Sequence, residues 1–530
     1  MPPRILAALT LVACLVVQAP ALAYELVWDD IDSLVRKNLG CEHPLDCFSV
    51  ATAGTYYRPI FAASMAGGFT LAGSDPMRAE REMHLQNLVF FALELAGVLF
   101  FFSAIFGGLN RQSIVAMAIF GLHPMQASAV AWVTGRADML PTLFSAMAIG
   151  AFISSQRADS RRWLALGVVA FGLAVFSKEQ VVPLIVLVPL VLPRRKVLGL
   201  ALTTGCAGAW WVISQSVLAG VPQVDPQWSF ADHASVVIRT VAHSLRLFVL
   251  PLPSTLHRIT AAPWGQFEAL EVLLAVGGSA LWLALGVRLR RAPTVVLWAF
   301  ASATVVPVLN LIPLNLALGP YRLILPLVGV AGLVASAIKP TVHWLGLVVP
   351  LAVLAGLTSL EVPNWRSDAT LAAAVLDADP ESMDWALVAA VALNDHHDTA
   401  SALELTNGAV ERVFLDAKTV PELVTRASTP DFRRRMGEYS TLRRQVFTAF
   451  HGAGALCYRS TLLHELHRFD EEAIDLDACT QIWWSADWRD KYVEALLASG
   501  RAAEARVALE ALAARNPSPE RLQKLKAMAP

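Results

Sequence analysis

Residues 84–107 read HLQNLVFFALELAGVLFFFSAIFG. About 20 apolar residues in a helix cross a bilayer, because lipid offers no partners for backbone N–H and C=O groups and a helix satisfies them within one segment. This stretch is long enough. Runs of the same kind recur at roughly 5–24, 113–133, 139–154, 163–177, 180–193, 197–217, 268–287, 294–313, 322–338 and 342–358. The expected fold is therefore all-α: a polytopic helical membrane domain of about 11 spans over residues 1–360, then a soluble α-helical domain over 361–530.

Composition agrees. The 530 residues are 55% hydrophobic and only 16% charged, with mean hydropathy +0.52. Soluble domains carry about a quarter charged residues, so a soluble enzyme is excluded, as are disordered, collagen-like and disulfide-scaffold chains. Net charge is −1, which points to no nucleic-acid partner. Residues 1–359 hold 23 Lys+Arg against 17 Asp+Glu, whereas 360–530 hold 19 against 26. A sparsely charged basic part precedes a densely charged acidic one.

The basic residues set the orientation. With Arg4 cytoplasmic, Arg111, the Arg157/Arg161/Arg162 group, Arg194-Arg195-Lys196, Arg288/Arg290/Arg291 and Lys339 all fall on that side. Residues 235–250 are read as a helix in the interface, because Arg239, His243 and Arg246 recur at helical spacing as a polar face. The first span also fits a cleavable signal peptide, with Ala21-Leu22-Ala23 at its end. Either way Tyr24 onward lies outside, where Cys41 with Cys47 and Cys457 with Cys479 can pair in an oxidising compartment.

Charges at the mouth of a membrane domain are costly, so their placement is informative. The first outer loop opens Val27-Trp28-Asp29-Asp30-Ile31-Asp32. Adjacent carboxylates near lipid repel, raising at least one pKa and suiting a general base or a shared divalent-cation site. Asp32 also fits a helix cap. Later outer turns carry Arg58, Arg136 with Asp138, Lys178 with Glu179, His257, and Tyr321 with Arg322. Each has a plainer reading. Arg58 can snorkel to lipid phosphate, Arg136 with Asp138 or Lys178 with Glu179 can be a local pair, and His123 before Pro124 serves the helix break. Helix-end features would nevertheless scatter over both faces, and these converge on one. Cations there can hold the phosphate of a lipid-carried sugar while a carboxylate takes a proton from an incoming hydroxyl. A transporter would place its ionisable groups near the midplane in repeated halves, which the chain does not show.

At these residues the chain resembles a known family. Val27-Trp28-Asp29-Asp30, Tyr56-Tyr57-Arg58-Pro59, His84-Leu85-Gln86-Asn87-Leu88, Leu122-His123-Pro124 with Gly135-Arg136-Ala137-Asp138, Ser177-Lys178-Glu179-Gln180, and Asn310-Leu311-Ile312-Pro313 with Tyr321-Arg322 resemble the membrane half of the transmembrane and tetratricopeptide-repeat O-mannosyltransferases. Those belong to the type C (GT-C) glycosyltransferase superfamily. The similarity covers about residues 1–365 and is to a divergent member: Ser128, His257 and Pro320-Tyr321-Arg322 stand where the family pattern differs. The resemblance implies an uncleaved first span, Asp29 or Asp30 as catalytic base, and Arg136 and Asp138 lining the site.

The tail shows one convincing tetratricopeptide-like hairpin, Tyr492–Ala505 followed by Ala508–Pro517, with Ala498, Gly500 and Ala505 allowing close helix approach. Asp395-His396-His397-Asp398 invites a metal reading, but adjacent residues point apart on a helix and a solvated turn is preferred. The expectation is a bacterial inner-membrane glycosyltransferase with a cytoplasmic N-terminus and a periplasmic tail. It moves a sugar, mannose being the family's, from a polyprenyl-phosphate donor to a hydroxyl of an exported protein, glycan or lipid. Catalytically inactive scaffolds of the same descent and polyprenyl-linked sugar transporters are the alternatives.

Overall fold

A computed structural model describes residues 2–28, 30, 40–52, 56–73, 76–219, 230–251, 269–312, 319–339, 341–343, 345–378, 383–395, 397–414, 454–482 and 485–528. Every regular element among them is helical, and the extended backbone contributes a single isolated bridge between Thr52 and Tyr56. The chain falls into two compact units, Met1–Ala374 and Val375–Pro530. The division lies beyond residue 360 because the segment after Leu345–Trp365 folds back on residues 25–28. Glu25 N donates to Arg366 O at 3.1 Å, Trp28 N donates to Asp368 Oδ1 at 2.7 Å, and Trp365 stacks 6.1 Å from Trp132.

Seven helices in the first unit are long and apolar enough to cross a membrane: Pro3–Ala23, Arg78–Phe106, Val133–Ala158, Pro193–Val217, Ala269–Arg288, Pro320–Ala337 and Leu345–Trp365. Arg111–Gly121 and Pro124–Val130, bent by 56°, make an eighth if they are one span. Pro124 causes the bend, since it has no N–H to give the preceding turn. Neighbouring groups repair it: His123 Nδ1 accepts from Met125 N at 3.3 Å, Gln126 Nε2 donates to Phe120 O at 3.1 Å, and Thr358 Oγ1 donates to Leu122 O at 2.6 Å. His123 is thus part of the break. The remaining expected spans are shorter helices. Arg161–Ser177 has 17 residues, Glu179–Val191 contains Pro183 and Pro189, and Pro293–Val308 ends at Pro307.

Between helices in lipid, burial beside another helix gains little over burial beside acyl chains, so close packing has to hold the bundle. Gly329 shows how close: a Cβ there would lie 2.5 Å from Leu297 O. Phe91, Phe101, Phe102, Phe120, Phe152, Phe171 and Phe300 fill the resulting core and are fully buried. Outside the bundle, the Cys41–Cys47 disulfide closes part of the segment after the first long helix, where Tyr57 Oη donates to Phe48 O at 2.9 Å. The amphipathic helix Phe230–Val249 is not among the seven, and its Arg239 meets Glu271 at 3.5 Å.

The second unit consists of helical hairpins. Helix starts at Gly454, Ala486 and Pro519 recur every 32 or 33 residues. Salt bridges join successive helices, with Arg459 bidentate on buried Asp475 (2.7 Å for both bonds) and Arg489 on Asp477 at 2.8 Å. Cys457 and Cys479 form a second disulfide across one hairpin.

Candidate functional site

The turn Val133–Gly135 starts the helix Arg136–Ala158 next to Asp30. Gly135 permits that approach, since a Cβ would sit 2.5 Å from Ala129 O. A helix start leaves backbone N–H groups unsatisfied, and here the partner comes from far away in sequence. Asp30 accepts from Val133 N at 3.0 Å, Thr134 N at 2.7 Å, Thr134 Oγ1 at 2.7 Å and, more weakly, Val27 N at 3.5 Å. Burial raises its carboxyl to about 6 while these four donors pull the other way. Trp28 just before it is held at φ 57°, a left-handed conformation costly for a bulky residue, and its ring stacks 4.8 Å from Trp132. Trp28 and Asp30 are thus each held by contacts with the 132–134 segment.

Arg136 and Asp138 do not pair. Arg136 is fully buried and ties one side chain to two backbone carbonyls: Nε donates to Asn87 Oδ1 at 2.9 Å, Nη1 to Ser64 O at 2.9 Å and Nη2 to Met83 O at 3.4 Å. Asn87 Nδ2 in turn donates to the carbonyls of Val130, Trp132 and Val133 at 3.1–3.3 Å. Asp138 instead takes the Lys178 ammonium. Lys178 and Glu179 do not pair with each other either. Lys178 is extended (φ −162°, ψ 133°), so successive side chains diverge, and Glu179 reaches Arg58 through two bonds, one of them Nε to Oε2 at 2.9 Å.

Burial lowers the Lys178 pKa, and Asp138 opposes that shift, with Arg58 and Arg322 adding repulsion. Arg58 lies 4.1 Å over the Tyr56 ring. Tyr321 completes the cluster, 4.9 Å from Trp132, with Lys178 Nζ and Arg322 Cζ each 5.8 Å from its ring centre. Gln180 anchors that segment by donating to Thr304 O at 2.8 Å and Arg322 O at 3.0 Å. Accessibility is graded: the Lys178 and Asp138 side chains are 7% and 5% exposed, those of Arg58 and Glu179 16% and 38%. Three cations and two carboxylates thus meet at one end of the bundle, leaving one positive charge in excess when all are ionised.

No family model matches the chain. Human protein O-mannosyl-transferase TMTC4 is 26% identical over 187 residues, 29% of this chain and 25% of that protein. Human protein O-mannosyl-transferase TMTC3 is 31% identical over 127 residues, 23% of this chain and 13% of that protein. The chain is similar to the protein O-mannosyl-transferases. It spans about a quarter or less of the length of these relatives. Among solved structures, ArnT from Cupriavidus metallidurans bound to undecaprenyl phosphate aligns over 88% of this chain and 80% of its own, at 15% identity and TM-score 0.36.

Of the residues marked in sequence, Arg58, Asp138, Lys178, Glu179, Tyr321 and Arg322 come together. Asp30 and Arg136 are buried beneath them, and Asp29 and His257 lie outside the described residues. Sequence reasoning passed over Glu94. It is fully buried within Arg78–Phe106, and neither carboxylate oxygen has a hydrogen-bond partner among the described residues. The available signal was a lone carboxylate in an apolar span. Among the described residues, no group of three or more His, Cys, Asp or Glu is placed to hold a metal ion.

Proposed function

We propose that the chain is a membrane glycosyltransferase that moves a sugar, mannose in the first instance, from a polyprenyl-phosphate donor to an acceptor hydroxyl such as Ser or Thr of an exported protein. The observation that carries this reading is the convergence of Lys178 and Arg322 on Tyr321, with Arg58 near enough to repel Lys178, which leaves an excess of positive charge on a chain similar to protein O-mannosyl-transferases. The acceptor oxygen attacks the anomeric carbon, and the bond from that carbon to the phosphate oxygen breaks. The electron pair leaves on polyprenyl phosphate, where the cations stabilise it, and the hydroxyl proton passes to a carboxylate.

All four lone-pair sites of Asp30 face protein donors, so Asp29 is the base in this reading and Asp30 positions it. A divalent cation held with Asp29 would supply further charge neutralisation.

The reading places the cluster on the outer face of a bacterial inner membrane, with the N-terminus cytoplasmic, eleven crossings and a periplasmic tetratricopeptide-like tail presenting the acceptor. The disulfides support this arithmetic. Cys47 and Cys457 each belong to a disulfide and so belong on the same oxidising side, which requires an even number of crossings between them. Counting the bent pair among the long spans gives seven, so an odd number of the shorter helices must cross as well. Eleven spans in total, ten of them after the first, meet that condition.

The test is transfer of mannose from polyprenyl-phosphate mannose in membranes containing Asp29→Asn, Asp30→Asn or both. Loss of transfer in Asp29→Asn, with insertion retained, is expected. Undiminished transfer in the double variant would reject the mechanism and favour a scaffold, while donor movement without covalent product would favour a transporter.

A further inference from the structure

At the other end of the bundle the chain builds a cavity with a mostly apolar lining and two cations among its residues. Asn110 follows the helix Pro76–Phe106, whose opposite end carries Asn87 against Arg136. The intervening turns measure about 28 Å at 1.5 Å per residue, close to the thickness of a bilayer's hydrocarbon core. The Lys178 cluster and this cavity therefore serve opposite membrane surfaces.

The cavity holds about 230 Å³ between the start of Arg111–Gly121 and the end of Ile324–Ala337. Arg111 and Lys339 supply two cations, the side chains of Asn110 and Gln112 supply amides, and Val115 and Ile338 form an apolar wall. No carboxylate lines it among the described residues. Arg111 is also more than a loop charge left on the inner side. Its Nε and Nη2 are shielded from solvent, and the Asn110–Ser113 capping box fixes the helix start that carries it. The partial positive charge of that helix start adds to the two side chains.

This combination selects a ligand class. Two cations and amide donors without an acid suit a phosphodiester. At about 230 Å³ the space is below the roughly 300 Å³ lower bound of drug-sized pockets, so it takes a headgroup and not a nucleotide sugar. One side of the ligand is apolar, because Ile338 continues one turn back to Val334, which is 48% exposed on the lipid-facing side of its helix.

We propose that this cavity binds the headgroup of an anionic glycerophospholipid from the leaflet opposite the Lys178 cluster. Arg111 and Lys339 hold the phosphate, Asn110 and Gln112 contact the glycerol oxygens, and an acyl chain follows Ile338 and Val334. Such a lipid clamps the end of Ile324–Ala337, whose other end continues from Tyr321 and Arg322. Basic pockets between membrane helices hold headgroups by the same physics.

The experiment uses the full chain, delipidated in neutral detergent and titrated with phosphatidylglycerol, phosphatidylcholine or inorganic phosphate, with adducts counted by native mass spectrometry. Wild type should retain phosphatidylglycerol at least tenfold more strongly than Arg111→Gln/Lys339→Gln, and Arg162→Gln, an exposed cation away from the cavity, should match wild type. Equal retention by the double variant, equal binding of phosphatidylcholine, or displacement of the lipid by millimolar inorganic phosphate would overturn the proposal. Because the double variant can misfold, wild type is also cross-linked with a photoactivatable phosphatidylglycerol. Label on peptides containing residues 111–115 or 334–339 is expected, and label found elsewhere alone overturns the assignment.

Discussion

Lys178 and Asp138, far apart in the chain, form a buried ion pair, while the very next residue, Glu179, turns the other way to bind Arg58. One extended residue thus distributes two opposite charges to two different helices. The site depends on that step.

Breaking the buried pair from one side leaves an uncompensated charge. Asp138→Asn or Lys178→Met should each destabilise the chain by on the order of 3–5 kcal/mol, whereas Lys178→Met/Asp138→Leu should recover much of the loss. Denaturation in detergent micelles reads this directly. A double variant as unstable as the sum of the singles would show that the two residues act independently.

Arg58 and Glu179 are more exposed, so their pair contributes at most about 1 kcal/mol to stability. Arg58→Lys keeps the charge but loses the bidentate geometry. Donor KM should rise by roughly tenfold or more with little change in melting temperature, about the energy of one charge-assisted hydrogen bond. An unchanged KM would remove Arg58 from the donor site.

Asp30 makes stability depend on pH in an unusual direction. Its carboxyl titrates near 3.8 when unfolded and at about 6 in place. Between those values the folded chain holds a proton that the unfolded chain has lost, so stability falls as pH rises through this window. The difference between wild type and Asp30→Asn should shrink by on the order of 2 kcal/mol from pH 4 to pH 6. A difference independent of pH would mean that Asp30 titrates normally.

Glu94 is buried without a hydrogen-bond partner among the described residues. Glu94→Leu should therefore raise stability by about 1–4 kcal/mol. Lower stability would show that Glu94 is satisfied in the native membrane.

Peptide mapping without reductant should recover Cys41 linked to Cys47 and Cys457 linked to Cys479. Free thiols at either pair in freshly isolated membranes would break the even-crossing argument and the proposed orientation with it.

Much of the architecture was legible in residue order. Apolar length alone marked the helices such as Arg78–Phe106, and proline marked where Arg111–Gly121 gives way to Pro124–Val130. The site was legible only as a set of positions. Local pairing was a fair reading for Arg136 with Asp138 and for Lys178 with Glu179, because neighbours in sequence are always within reach of one another. The structure assigned each of the four a different partner. Glu94 went unnoticed because one charge barely changes the hydropathy of a long apolar run.

Sequence by itself determined that this chain is helical, membrane-embedded and split into an apolar and an acidic part, because backbone hydrogen bonding in lipid leaves no other use for such long apolar runs. It also placed the charged motifs at helix ends. Tertiary structure alone decided that Asp30 caps the start of the helix bearing Asp138, that Arg136 holds backbone carbonyls in place, and that Arg58, Lys178 and Arg322 share one end of the bundle. The physical reason is range: hydropathy is a sum over neighbours in the chain, whereas a buried charge is settled by whichever partner the packing brings within about 3 Å.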